Sequence, residues 1–183
     1  MKSLVQIAQG EVGVREEGGN NCGPRVREYQ AATWLTVASW AWCAAFVCWC
    51  LREWLRQPEI TQLLRDTVGG PHFEVDKWRC RDASAFGWED WAIRVKAKIL
   101  DPAKNLAEAG DIVIFDFNGE ETGGGHIGIV EKNQKPHETV IHTIEGNTNG
   151  KGERDSTSGD GVWRKTRNTG SGSIKCYLRM AVK

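Results

Sequence analysis

The sequence has no excess of charge of either sign. Over 183 residues, 24 Lys and Arg balance 24 Asp and Glu. A balanced surface lacks the general field that would attract a polyanion or an anionic bilayer. We therefore expect neither nucleic acid nor a membrane surface among the partners.

Long hydrophobic runs are also missing. The charge-free stretch Ala31–Leu51 contains Thr33, Thr36 and Ser39, whereas a spanning helix needs about 20 mostly apolar residues. Residues 1–10 lack the uninterrupted apolar region and small-residue cleavage site of a secretory signal. We expect no membrane span, and a protein made in the cytoplasm without a signal peptide.

Cysteine is too scarce for a disulfide scaffold. The chain has six cysteines at uneven spacing, which favours free thiols. The sequence has no paired Cys-x-x-Cys motifs, no His-Glu-x-x-His and no acidic calcium loop of the EF-hand type. We expect no metal and no cofactor.

The spacing of apolar residues along the sequence changes near residue 110. Before it, apolar residues recur at helical spacing, and after it, short β-branched and aromatic segments alternate with turns. This order predicts one α+β domain over residues 1–183, with N-terminal helices followed by a roughly five-stranded antiparallel sheet arranged as a meander. The predicted helices are Ser3–Val12, a short helix through Val26 and Gln30, Trp42–Leu55, Glu59–Val68 and Ser84–Lys98; the predicted strands are Asp111–Phe117, His126–Val130, Thr139–Glu145, Val162–Thr166 and Ile174–Arg179.

Cys43 lies where the charge-free loop meets the apolar helix predicted over Trp42–Leu55. The free N–H groups and the positive end of the dipole at a helix N-terminus favour a thiolate. Cys48 and Cys50 lie deeper in the helix, beyond that field. Cys43 is the candidate nucleophile, although burial as a small core residue would explain a single cysteine equally well.

A nucleophilic thiol needs a base, and His126 is the best-placed histidine. It begins a predicted strand directly after the glycine-rich segment 122–125, so its ring can stand at the edge of a sheet. The alternative is a strand-edge histidine that bonds a backbone carbonyl.

A third group must orient the imidazole. Glu145 and Asn147 share one face of the next predicted strand, and His142 lies on the opposite face. Glu145 offers a carboxylate that stabilises imidazolium, and Asn147 offers an amide that fixes its tautomer. We favour Glu145 and Asn147 as the groups that orient the imidazole, and His142 is the alternative.

The tryptophans Trp40 and Trp42 flank Cys43. Flat aromatic rings beside a nucleophile can form the wall of a cleft, so both are candidate substrate contacts. Burial in the core is the competing explanation.

Four segments, in this order, resemble the CHAP domain of cysteine peptidoglycan amidases and endopeptidases, within the NlpC/P60-like group. They are Trp42–Val47, Gly110–Phe115, Gly125–Val130 and Ile144–Asn147. The resemblance implies a papain-like fold with Cys43 as nucleophile, His126 as general base, and Glu145 as the orienting residue assisted by Asn147. In the NlpC/P60 branch the third residue is commonly a histidine on this strand, which His142 resembles.

The resemblance implies cleavage of an amide bond in bacterial peptidoglycan, between sugar and L-Ala or within the peptide. We expect a monomer that acts on the cell wall after release or injection, as a phage lysin or a secreted antibacterial effector. An effector would have an inhibitory immunity partner. The alternative from a different class is a non-catalytic wall-binding module of the same fold.

Overall fold

The structure of the chain is a computed structural model that describes residues 1–70, 73–117, 119, 125–150 and 159–181. Most of the predicted glycine-rich segment before His126, and part of the predicted loop 146–161, lie outside the described residues.

The N-terminal half is helical, and local sequence signals fix where several of the helices begin. Ser3 and Gln6 form a reciprocal capping box at the start of α1. Pro24 and Pro58 occupy the first turns of α2 and α4, where a missing N–H costs nothing. The helices are α1 (Leu4–Gly10), α2 (Pro24–Gln30), α3 (Cys43–Leu55), α4 (Pro58–Leu64) followed by a π-helical segment (Arg65–Gly69), α5 (Val75–Trp78) and α6 (Gly87–Val95).

The sixth helix ends earlier than its sequence pattern predicts. Lys96 adopts a left-handed backbone conformation with φ of 57°, which ends the helix. The chain then forms a short strand, β1 (Lys98–Leu100), that the sequence pattern did not predict, since the predicted helix covered its first residue. The sheet therefore has six strands instead of about five.

The antiparallel sheet is open, with the strand order β1-β6-β2-β3-β4-β5. The remaining strands are β2 (Ile112–Asp116), β3 (Gly125–Val130), β4 (Val140–Thr148), β5 (Gly161–Asn168) and β6 (Ile174–Arg179). The prediction of α+β with helices first is confirmed. The prediction of a simple meander is wrong, because β6 returns to lie between β1 and β2.

Helix α3 is the centre of the core. Eleven of its 13 residues are buried, so it packs on several sides at once, as its continuous apolar sequence predicts. Helices and one set of sheet residues form the larger core cluster, and Val113, Phe115 and Ile141 belong to a second, smaller one. Within the described ranges, the structure contains no helix with the length and apolar character needed to cross a membrane.

Gly146 lets α3 pack closely against β4. A Cβ atom at this position would lie 2.6 Å from Cβ of Phe46 and 2.8 Å from the ring of Trp42. Both neighbours are fully buried, so neither can move freely. The approach fixes the first turn of α3 relative to the strand that carries Glu145.

We expect Gly146→Ala to lower the stability, because it overpacks this contact. Overpacking costs about 1–3 kcal/mol, which in a domain of this size lowers the Tm by about 2–12 °C. Thermal unfolding followed by circular dichroism measures the change. Gly10→Ala is the matched control, since a Cβ there meets no atom within 4 Å; equal melting of the two variants would contradict the packing argument.

Candidate active site

The loop before Cys43 is held by Gln30. Its side-chain Nε2 donates to the backbone oxygens of Ala38, at 2.6 Å, and Trp40, at 3.1 Å. Gln30 is fully buried at the end of α2, so its hydrogen bonds fix the loop relative to α2. The loop then delivers Cys43 as the first residue of α3.

The N-terminus of α3 has no side-chain cap. The first N–H groups of a helix have no intrahelical partner, and the helix dipole adds positive potential there. Cys43 thus lies at a helix end whose electrostatics favour negative charge, which is the position that the sequence pattern predicts.

The side chain of Trp42 lies in the core and does not form the wall of a cleft. Its side chain is fully buried, its ring stacks on Tyr29 with centroids 5.5 Å apart, and its Nε1 donates to Glu16 Oε1 at 2.7 Å. The Tyr29 hydroxyl donates in turn to Glu11 at 2.6 Å. The expectation that Trp42 contacts substrate is at odds with this burial; its ring instead ties the residue before Cys43 to Tyr29 and Glu16.

Trp40 is half-buried. Its Nε1 donates to the backbone oxygen of Thr36 at 2.9 Å, which closes the loop on itself. The exposed part of this ring keeps Trp40 as a candidate substrate contact.

His126 stands at the start of β3 with only 2% of its surface exposed. It lies opposite Phe115 on β2, and the rings of Phe115 and Phe117 lie 5.9 and 6.2 Å from its own. Its Nε2 is 2.8 Å from Glu145 Oε2. Nδ1 is buried and has no hydrogen-bond partner among the described residues, and Cys43 lies close enough to His126 to affect its pKa.

The ring of His126 is poised to carry a positive charge. Burial alone would lower its pKa, but the interactions with Cys43 and Glu145 outweigh burial and raise the pKa of His126 to about 9. The contacts with Cys43 and Glu145 thus favour the imidazolium form of His126.

The Glu145 carboxylate is fully buried and fully hydrogen-bonded. Oε1 accepts from the Thr143 hydroxyl at 2.6 Å and from Arg167 Nε at 2.9 Å. Oε2 accepts from His126 and from Arg167 Nη2. Burial alone would raise the pKa of Glu145, but the hydrogen bonds from Arg167 and His126 outweigh it and hold this pKa well below its usual range.

Arg167 and Thr143 are members of the site that sequence reasoning missed. Thr143 lies two residues before Glu145 on the same face of β4, so a Thr-x-Glu pattern on a strand could have revealed it. Arg167 comes from β5, where it pairs with Ile141. The sequence gives a weaker indication of Arg167, because the predicted strand Val162–Thr166 ended one residue before it.

Among the described residues, no hydrogen bond joins His126 to the two other candidates on β4. His142 is half-buried, and its Nδ1 lies 3.4 Å from Thr166 Oγ1 on the other face of the strand. Asn147 is fully buried, and its side chain forms no hydrogen bond with a described residue.

Asn147 leaves the regular strand geometry for a physical reason. Its φ of 53° is left-handed, and the β4–β5 register shifts between Glu145 and Thr148. A shift of this kind breaks the alternation of side chains along a strand. The expectation that Asn147 assists Glu145 in holding the imidazole is therefore not supported by a hydrogen bond among the described residues.

The arrangement joins a thiol at a helix N-terminus to an imidazole and a buried carboxylate. Such a set can activate sulfur as a nucleophile and return a proton to a leaving group. Among residues 1–70, 73–117, 119, 125–150 and 159–181, no three His, Cys, Asp or Glu side chains group closely enough to hold a metal ion.

A family model for the CHAP domain matches residues 33–147. The chain belongs to the CHAP family. CHAP domains have a papain-like fold and are typically cysteine-dependent hydrolases of peptidoglycan, so the match assigns this general activity to the chain. No curated protein matches the sequence. The matched region includes Cys43, His126 and Glu145 and ends before Arg167.

In this CHAP domain, Glu145→Gln should impair turnover far more than His142→Ala. The amide keeps the size of Glu145 but cannot stabilise imidazolium, and loss of an orienting acid lowers kcat by about 10²- to 10⁴-fold in comparable triads. His142 lies outside the network, so its variant should keep kcat near the wild-type value. Steady-state hydrolysis of peptidoglycan measures both, and the reverse order would assign the third role to His142.

The activity of the CHAP domain should fall on the alkaline side as His126 loses its proton. Since the interactions with Cys43 and Glu145 raise the pKa of His126 to about 9, kcat/KM should decline with a midpoint near that pH. Glu145→Gln should move the midpoint to lower pH, because burial then lowers the pKa of the ring with less opposition. Unchanged midpoints in kcat/KM against pH would contradict this assignment.

Proposed function

We propose that this CHAP domain hydrolyses an amide bond of bacterial peptidoglycan with Cys43 as nucleophile, His126 as general base and acid, and Glu145 as the residue that orients His126. The observation that carries the proposal is the position of Cys43 at the uncapped start of α3, beside a histidine whose far nitrogen is 2.8 Å from a buried carboxylate.

The first half of the reaction transfers an acyl group to sulfur. The Cys43 thiolate attacks the amide carbonyl and forms a C–S bond, and the carbonyl electrons move to oxygen. His126 Nδ1 then gives its proton to the amine as the C–N bond breaks, which leaves a thioester and a neutral imidazole. Glu145 stays ionised throughout and holds the opposite nitrogen of the ring.

The second half consumes water. Neutral His126 takes a proton from water, the hydroxide attacks the thioester, and the C–S bond breaks to release a carboxylic acid. The thiolate and imidazolium are thereby restored. Backbone N–H groups at the start of α3, beginning with that of Cys43, support the oxyanion in both halves, an effect worth a few kcal/mol per donor in similar sites.

The finer features of the function follow from the same proposal. The bond cut is that of an N-acetylmuramoyl-L-alanine amidase or of a peptide endopeptidase, with Trp40 as a substrate contact. We propose that residues 1–183 act as a single catalytic domain and a monomer, and reach the wall after release or injection as a phage lysin or an antibacterial effector. In the effector case, an immunity protein would cover Cys43.

Cys43→Ala should abolish cleavage of purified peptidoglycan, lowering kcat by about 10⁴-fold or more, with little change in Tm. Mass spectrometry of the fragments released from defined muropeptides identifies the bond cut. Cys50→Ala is the matched control, because Cys50 is a buried thiol on the same helix, away from the helix start. Retained cleavage by Cys43→Ala, or no cleavage by the wild type, would contradict the proposed function.

A further inference from the structure

We infer that Arg167 is a positioning residue that keeps the buried Glu145 carboxylate ionised and in one orientation, so that Glu145 holds His126 protonated and directed at Cys43. The inference rests on the proposed chemistry of Cys43 and His126. It concerns a residue beyond the region 33–147 that the CHAP family model matches.

The geometry of the pair is bidentate. Arg167 Nε donates to Glu145 Oε1 at 2.9 Å, and Arg167 Nη2 donates to Oε2. A guanidinium fork that grips both oxygens prevents rotation of the carboxylate. The direction of Oε2 toward His126 Nε2 is therefore set from β5, one strand beyond the strand that carries Glu145.

Arg167 is itself fixed in place. Only 4% of its surface is exposed, and its guanidinium lies over the rings of Phe115 and Phe117, 5.2 and 5.6 Å from their centroids. Phe115 also stacks on the ring of His126, and Phe117 lies tilted against it. The cation and the imidazole thus share one aromatic surface, and displacement of either disturbs the other.

The charge balance around Glu145 explains why a permanent cation is needed. Burial in the interior favours a neutral carboxyl group. Among the described residues, the charged groups that act on it are His126 from β3 and Arg167 from β5, and Cys43 from α3 interacts with His126 in turn. Lys165 belongs to the same face of β5, and its Nζ donates to the backbone oxygen of Asn149.

Of the two described cations that act on Glu145, His126 must release its proton during the proposed reaction. Arg167 cannot be deprotonated in a protein. Arg167 therefore keeps Glu145 ionised at the moment when the imidazole is neutral. A purely structural ion pair would stabilise the fold but would not change the pH at which Cys43 and His126 are active.

The test is the pH dependence of Cys43 alkylation by iodoacetamide, read at Cys43 by mass spectrometry, in a Cys22→Ser background. Cys22 is the one cysteine that is not buried, and serine keeps a partner for Ser39. In Arg167→Met, Glu145 takes up a proton at higher pH and stops stabilising imidazolium. We call the acid limb the part of the pH profile where the alkylation rate falls as the pH is lowered. In Arg167→Met this limb should move to higher pH by about 1–3 units, the effect of one close opposite charge.

Two further variants test whether the effect passes through Glu145. Arg167→Lys restores the charge without the fork, so its acid limb should lie between those of the wild type and Arg167→Met. In a Glu145→Gln background, adding Arg167→Met should cause no further shift, because the titrating carboxyl group is gone. If Arg167→Met does not fold, the lysine variant and the double variant carry the test.

The outcomes separate this inference from the proposed function, since alkylation needs no substrate. An acid limb that stays at the wild-type pH in folded Arg167→Met, or a shift that persists in the Glu145→Gln background, would overturn the inference. A shifted limb in a protein that does not cleave peptidoglycan would support the role of Arg167 and count against the proposed reaction alone.

Discussion

A fully buried carboxylate is the element on which the rest of the site depends. Glu145 has no exposed surface, so its charge persists only because Arg167, Thr143 and His126 together satisfy both oxygens. Such a group is costly to bury and strongly destabilising to strip of its partners. What it provides is a fixed negative charge at one nitrogen of an imidazole, in an interior where that charge is weakly screened. In the proposed reaction, this charge favours the protonation of His126 and, through it, the reactivity of Cys43.

The fold serves to bring three independent elements to this point. Helix α3 contributes Cys43 as its first residue, β3 contributes His126 directly after Gly125, and β4 contributes Glu145. The close approach of α3 and β4 at Gly146 sets the distance between Cys43 and Glu145. The buried ring of Trp42 stacks on Tyr29 and so holds the start of α3 in place. The two aromatic rings from the β2 region, Phe115 and Phe117, cover the polar network on one side. The site is thus assembled from parts whose relative positions are set by core packing.

Much of this could be read from the sequence, where the deciding forces are local. An apolar run after a charge-free loop predicted a helix starting near Cys43, and strand alternation put His142 and Glu145 on opposite faces, which the contacts of the two side chains match. The rest depended on long-range pairing. The role of Arg167 required the β4–β5 register, the burial of Trp42 required knowledge of α2, and the insertion of β6 between β1 and β2 reflects pairing between distant segments that periodicity does not encode. The alternation that placed Asn147 beside Glu145 breaks down at Asn147 itself, because its backbone is left-handed and the register shifts there.

The central claim is that the buried carboxylate keeps His126 protonated beside Cys43. A nuclear magnetic resonance titration of ¹⁵N-labelled His126 in the unmodified protein tests it without substrate or mutation. Since Cys43 and Glu145 raise the pKa of His126 to about 9, both ring nitrogens should carry protons at pH 7, and the signals should change only near that higher pH. A ring that is neutral at pH 7, with a transition at or below the ordinary histidine value of about 6.5, would contradict the account.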